Sequence, residues 1–279
     1  MIVDAHHHVW DLTVRDQTWI TSGLKKIRKN FALDDLAPLA AESGIYATVL
    51  VQTIPVADET PELLALAASS DFVAAVTGWV DLTAPSIRDD LSRLMEGPGG
   101  SALRAIRHPV QGEADPDWLC RKDVRRGLSA VADAGLVYEL LILPHQLAAA
   151  EQTVAALPNA RFVLDHGAKP PIASGHLEPW AGSLRKLAAL PNVACKFSGL
   201  VTEARWTTWT VEDLRPYVEI LLNAFGPERL LFGSDWPVCL LAAEYAEVLA
   251  ASQQLTAALS PAERDAVFAG TARKIYGLA

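Results

Sequence analysis

The sequence predicts a (β/α)8 barrel of the TIM type, on three observations. Short continuous apolar runs such as Arg161-Phe162-Val163-Leu164 recur along the 279 residues, the signature of strands buried on both faces. Each run is followed by a segment bearing helix caps or breakers, and strict alternation of strand and helix makes a parallel sheet. About eight such units are present, enough to close a barrel whose functional end lies at the strand C-termini. An open doubly wound sheet is the alternative, but the first strand-to-helix turn lacks the Gly-x-Gly-x-x-Gly of a dinucleotide site.

The first strand is Ile2 to His8, where alternation puts His6 and His8 on one face and His7 on the other. A long connection follows, roughly Asp11 to Phe31, carrying Trp19 and the basic cluster Lys25, Lys26, Arg28 and Lys29. A connection of that length reads as functional or as a lid. Leu33 to Ser43 is a helix closed by Gly44, and Ala47 to Gln52 is the second strand. Thr60-Pro61-Glu62 predicts the next helix, with threonine as its cap and proline in its first turn. Phe72 to Val80 is the third strand, Pro85 to Glu96 a helix, and Ala102 to Arg107 the fourth strand. Asp123 to Ala134 is a helix ended by Gly135, and Leu136 to Leu143 is the fifth strand. Gln146 to Leu157 is a helix stopped by Pro158-Asn159, before the sixth strand, Arg161 to Asp165. The helix Pro179 to Leu190 ends at Pro191-Asn192, before the seventh strand, Val193 to Phe197. Thr210 to Asp213 is a capping box for a helix running to Phe225, broken by Gly226-Pro227 ahead of the last strand, Leu230 to Phe232. Ser260 to Glu263 is a second capping box, for one of two closing helices. Nothing reads as a linker, so one domain over residues 1–279 is expected.

At 51% hydrophobic and 20% charged residues the composition is that of a globular protein. The net charge of −9 disfavours nucleic acid or an anionic membrane surface as a partner. Cys120, Cys195 and Cys239 are odd in number and widely spaced, which is neither a disulfide framework nor a Cys-x-x-Cys metal site. No signal peptide and no run of membrane-spanning length is read, so a cytoplasmic protein is expected.

The chemistry is read where strands end. His6 and His8 end the first strand, Gln52 the second, Arg107-His108 the fourth and Asp165-His166 the sixth. Lys196 to Ser198 close the seventh, and Ser234-Asp235-Trp236 follow the eighth. Around one mouth, three neutral imidazoles and a carboxylate suit Zn²⁺ with an open position for water. The ion would lower the water's pKa, and Asp235 could take its proton. The plainer alternatives are Asp235 as a helix cap and His166 as a satisfied core histidine. Lys196 interrupts an apolar strand and must reach a partner, and Glu139 is similarly placed. A salt bridge inside the barrel explains both; a substrate-facing pair is the alternative. Trp10, Trp206, Trp209 and Trp236 follow strands one, seven and eight, where they would stack on a ring-shaped substrate or pack between loops.

The stretches DAHHHVW, FVLDHGAKP, CKFSGLVTEA and LLFGSDWPVC, with GTARKIYGL at the end, resemble the amidohydrolase superfamily in its amidohydrolase-related (amidohydrolase 2) branch. Within it the likeness is greatest to the sugar-acid lactonases, the group of L-fuconolactonase and L-rhamnonolactonase, and to muconolactone-type hydrolases. The resemblance implies an amidohydrolase-type barrel and a hydrolase that opens a small lactone ring in carbohydrate catabolism. It also implies a catalytic centre of His6, His8, His166 and Asp235, the same four holding one divalent metal, zinc. Two departures stand out: histidine at position 7 is unusual, and no lysine ends the fourth strand, where Arg107-His108 stands instead. One metal at most is therefore expected, with metal-independent catalysis as the alternative. Asp235 is the expected general base, and Arg107, His108 or Lys196 would face the oxyanion. Trp10, Gln52, Ser198, Glu203, Trp206 and Trp236 would hold the ring. The expected partner is a small-molecule lactone, and a homodimer is admitted. Two other functions stay open: a non-oxidative decarboxylase of an unsaturated or aromatic acid, and a catalytically silent sugar-acid-binding barrel.

Overall fold

A computed structural model describes residues 1–278; Ala279, the last residue of the expected domain, lies outside the described residues. Among the described residues eight strands pair in chain order, every pair parallel. They are β1 (Ile2–His7), β2 (Ile45–Val51), β3 (Val73–Gly78), β4 (Leu103–His108), β5 (Val137–Leu140), β6 (Arg161–Leu164), β7 (Val193–Phe197) and β8 (Leu230–Phe232). Between them run α1 (Leu33–Glu42), α2 (Glu59–Ala68), α3 (Ile87–Glu96), α4 (Lys122–Asp133), α5 (Leu147–Ala156) and α6 (Trp180–Ala188). The short α7 (Leu200–Glu203) and the long α8 (Val211–Phe225) both follow β7. The chain then closes with α9 (Tyr245–Leu255), α10 (Pro261–Asp265) and α11 (Thr271–Tyr276). No helix is long and apolar enough to cross a membrane among the described residues.

The ring shuts between β8 and β1. His8 N–H donates to the Trp236 carbonyl at 2.7 Å and Asp235 N–H to the His6 carbonyl at 2.8 Å. The buried Asp4 carboxylate spans the same seam, accepting from Ser234 N–H at 2.8 Å, the Ser234 hydroxyl at 2.6 Å and the Tyr245 hydroxyl at 3.0 Å. Three residues of β8 therefore suffice, because side chains supply bonds a longer strand would have made.

The barrel interior is narrow and is floored by small side chains, among them Ala47, Ala75, Ala105, Val137, Val163 and Ala194. Ala269, Ala272 and Tyr276, from the closing helices, plug this floor. Larger apolar residues fill the layer between sheet and helices.

Two local expectations change. The first is uniform alternation in β1: Asp4 pairs with Thr48 but His7 with Leu50, so one extra residue of β1 faces β2. This bulge lets Val3 and Ala5 join the interior cluster and still turns His6 toward the functional end, while Asp4 faces Tyr245 outside. The second is Thr60, which lies inside α2 rather than capping it. Its hydroxyl is spent on strand β3's exit, donating to the Trp79 carbonyl at 2.9 Å and accepting Trp79 N–H at 2.8 Å. The Thr210 and Ser260 boxes form as expected, each side chain accepting the N–H three residues on.

Candidate active site

Above the apolar floor lies a layer of buried charge. Lys196 Nζ on β7 is 2.7 Å from Glu139 Oε2 on β5 and 3.1 Å from Asp165 Oδ1 after β6. Arg107, at the end of β4, donates from Nη1 to Asp165 Oδ2 at 3.0 Å and from Nη2 to the Gln52 carbonyl. Gln52 answers by donating to the Arg107 carbonyl at 3.0 Å. Glu139 accepts the Thr77 hydroxyl at 2.9 Å and the Tyr276 hydroxyl at 2.5 Å. Burial pushes the Asp165 carboxyl up, but Lys196, His6 and Arg107 outweigh it and hold the group well below the usual carboxylate range.

The imidazoles stand on this layer. His6 Nε2 and His8 Nε2 are 3.1 Å apart, and Asp235 Oδ1 lies 3.7, 3.6 and 3.9 Å from Nε2 of His6, His8 and His166. The opposite ring nitrogens are tied down, which fixes ring orientation. His8 Nδ1 donates to the Val51 carbonyl at 2.7 Å, His166 Nδ1 is 2.9 Å from Ser198 Oγ, and His6 Nδ1 is 3.2 Å from Lys196 Nζ. Burial pushes His6 well below its ordinary pKa and His166 down to about 4, so both rings are neutral near pH 7. Burial raises the Asp235 carboxyl, yet His166 and His8 outweigh it, and the group titrates below its usual value. At these separations the imidazole nitrogens and one carboxylate oxygen fit a divalent ion, since ligands with bonds of about 2.0–2.1 Å sit about 3.3 Å apart around a tetrahedral zinc. His8 Nε2 keeps its lone pair because Nδ1–H donates to Val51. His6, His8 and Asp235 form one group able to grip an ion; His6, Asp165 and His166 form another.

Backbone strain aims these side chains. His166, Ala168 and Lys169 have φ of 53°, 58° and 52°, and Asp235 has 58°, a left-handed conformation that costs a non-glycine residue roughly 1–3 kcal/mol. Gly199 (φ 65°) answers a close approach: a Cβ there would stand 2.6 Å from His166 Nδ1.

His8, His166, Asp235 and Arg107 line a cavity of about 290 Å³, and His6 is buried against them. Ile54, Pro55, Pro109, Leu141 and Val238 make its apolar wall. The other residues singled out in the sequence are placed differently. Gln52, Lys196 and Ser198 are buried supports of Arg107, the charged layer and His166. Glu203 sits 3.7 Å from Lys169, which lines the cavity. His108 stacks on Trp118 at 4.4 Å, accepts the Trp79 indole N–H at 3.0 Å and lies 2.8 Å from Glu113, away from the cavity. Trp10 is buried against Trp19 and Phe31, and Trp236 against Phe31. The Trp206 and Trp209 indoles donate to the carbonyls of Thr202 and Ala242. None of these four tryptophans lines the cavity; Trp19 does, with Thr18, Thr53, Gln111 and Lys169. Trp19 carried a signal in its long connection, and Lys169 in the stretch FVLDHGAKP.

The Amidohydrolase family model matches residues 3–278. The chain is 39% identical over 278 residues to an L-fucono-1,5-lactonase of Burkholderia ambifaria, covering 98% of this chain and 94% of that protein. It is also 39% identical over 287 residues to an L-fucono-1,5-lactonase of Burkholderia multivorans, covering 99% and 96%. Among solved structures, an amidohydrolase from Burkholderia multivorans with bound zinc superposes with a TM-score of 0.95 at 39% identity, each chain covered in full.

Proposed function

Since this chain belongs to the amidohydrolase family, we propose that it opens the ester ring of a small hydroxylated lactone, with Asp235 as general base. The observation that carries the reading is an ionised carboxylate at the convergence of three imidazoles, lining a cavity of about 290 Å³. That volume suits a single sugar-sized ring. Full-length likeness to two L-fucono-1,5-lactonases supports the lactone as substrate class.

His6, His8, His166 and Asp235 would hold one divalent ion, and the zinc in the Burkholderia multivorans relative supports zinc. Such an ion supplies Lewis-acid polarisation of the ester carbonyl. Asp235 takes a proton from water as the water oxygen bonds to the carbonyl carbon. Arg107 lines the cavity and opposes the developing negative charge, and its buried Nε–H has no protein partner among the described residues. The ring C–O bond then breaks, and Asp235 returns the proton to the leaving alkoxide. One water has been added and a hydroxy acid results. On this reading the protein has a role in sugar-acid catabolism in the cytoplasm, carried out by one barrel domain.

A panel of aldono-1,4- and aldono-1,5-lactones, assayed for acid release with a pH indicator, tests the reading. At least one hydroxylated lactone should be turned over, one proton per ring opened. Silence across the panel, or CO₂ release from an aromatic acid instead, would overturn it.

A further inference from the structure

The mouth of the cavity holds one cation that the mechanism above does not use. Lys169 lines the cavity and closes the left-handed run that begins at His166. Among the described residues its ammonium has a single ionic partner, Glu203 Oε1, at 3.7 Å. Charge-assisted N–H···O bonds close to about 2.7–2.9 Å, so this pair stands apart. Both side chains are about a quarter exposed, at 26% and 25%, so water does not fully screen them. The pair is a donor that lines the cavity and an acceptor beside it, set 3.7 Å apart.

Charge restricts what can bind the pair. A substrate carboxylate bound to Lys169 would confront Glu203, and an ammonium bound to Glu203 would confront Lys169. A neutral group that both accepts and donates meets neither objection, and a ring hydroxyl is such a group. The apolar residues of the cavity, Ile54, Pro109, Leu141 and Val238, offer no side-chain partner for a hydroxyl; Thr18, Thr53 and Gln111 are its other neutral polar side chains. We propose, resting on the lactonase reading, that Lys169 and Glu203 together read a ring hydroxyl, Lys169 donating to its oxygen and Glu203 accepting its proton. The substrate class narrows accordingly to neutral polyhydroxylated lactones, as against carboxylate-bearing ones of the muconolactone kind.

The experiment compares parent, Lys169→Met and Glu203→Gln on an aldono-1,5-lactone, unsubstituted δ-valerolactone and muconolactone. Melting temperatures establish that each variant folds. Lys169→Met should lower the ratio of kcat/KM between hydroxylated and unsubstituted rings by roughly 10- to 100-fold, through KM, less than at a fully buried hydroxyl site. Glu203→Gln should raise the rate on muconolactone relative to the aldonolactone, because it removes the like charge. An equal loss on all rings would overturn the proposal and make Lys169 a general electrostatic aid to Asp235. Should the parent hydrolyse none of the three, calorimetric binding decides with the lactam analogues of the hydroxylated and unsubstituted rings. Tighter binding of the hydroxylated lactam, lost in Lys169→Met, supports the pair even as the lactonase reading fails; equal binding of the two lactams overturns it.

Discussion

In the proposed mechanism the chemistry turns on Asp235, a carboxylate at φ 58° held against three imidazoles at a strain cost. Asp235→Asn keeps the size and an oxygen for a metal but cannot take a proton near pH 7. It should lower kcat by roughly 10²–10⁴ with KM little changed; turnover within a few-fold of the parent, at equal metal content, would exclude it as the base. The four central residues are legible in the sequence because each stands where an apolar run stops. The tryptophans are not, because an indole after a strand serves packing as readily as stacking, and Trp10 and Trp236 are used for packing. His108 shows the same ambiguity: its site needs a neutral ring, with Nδ1 accepting from Trp79 and Nε2–H facing Glu113. Burial pushes this imidazole below its ordinary value despite Glu113, so the unfolded chain takes up the proton first as pH falls. The stabilisation is present above about pH 6.5 and fades below it until the folded-state pKa is passed. Urea midpoints of metal-free protein should therefore fall from pH 7.5 to 5.5, and His108→Gln should flatten that fall. A slope unchanged by the substitution would remove His108 from the linkage, leaving the other buried histidines to account for it.

At the scale of elements, β1 decides which histidines serve the site. Alternation assigns His6 and His8 to one face and His7 to the other, and the structure keeps that assignment for these three residues. His7 Nε2 lies 2.9 Å from Thr48 Oγ1, away from Asp235. The bulge between Asp4 and His7 is invisible to a two-residue period, because an unpaired residue leaves no compositional mark. It explains why Asp4 lies outside at the seam and His6 at the site, although both are even-numbered residues of one strand. Most strands are legible to within a few residues as apolar runs, whereas Thr60 misleads because a hydroxyl can bond to a neighbouring strand as well as to its own helix. The elements give a paired expectation for metal content. His6→Ala should lose the bound ion, while His7→Ala should retain it at some cost in stability from the cavity and the lost Thr48 contact. Elemental analysis of both variants after dialysis checks this, and metal loss from His7→Ala alone would contradict the facing of β1.

The whole molecule is a stack: a plugged apolar floor, a layer of paired charge, and the imidazole centre facing the cavity. The middle layer couples the ends, since Tyr276 from α11 reaches Glu139, Glu139 pairs with Lys196, and Lys196 reaches His6 and Asp165. Arg107 and Lys196 carry two positive charges, Glu139 and Asp165 two negative ones, so the layer is neutral as a set. Neutrality is what makes burial of four ions tolerable, for a buried charge without a partner costs far more than a balanced pair. The sequence shows the Glu139–Lys196 pair, because each interrupts an apolar strand, but not its balance with Arg107 and Asp165, which join it only where the strand ends meet. Lys196→Met should leave Glu139 and Asp165 short of one cation and destabilise the fold by about 3–5 kcal/mol. Adding Glu139→Gln restores zero net charge and keeps an acceptor for the Tyr276 hydroxyl, so the double variant should recover part of that loss. Urea denaturation of the parent, both single variants and the double variant yields the coupling energy directly. A double variant no more stable than Lys196→Met alone would mean that the layer is not held together by charge balance, and that shape and hydrogen bonding at each residue carry it instead.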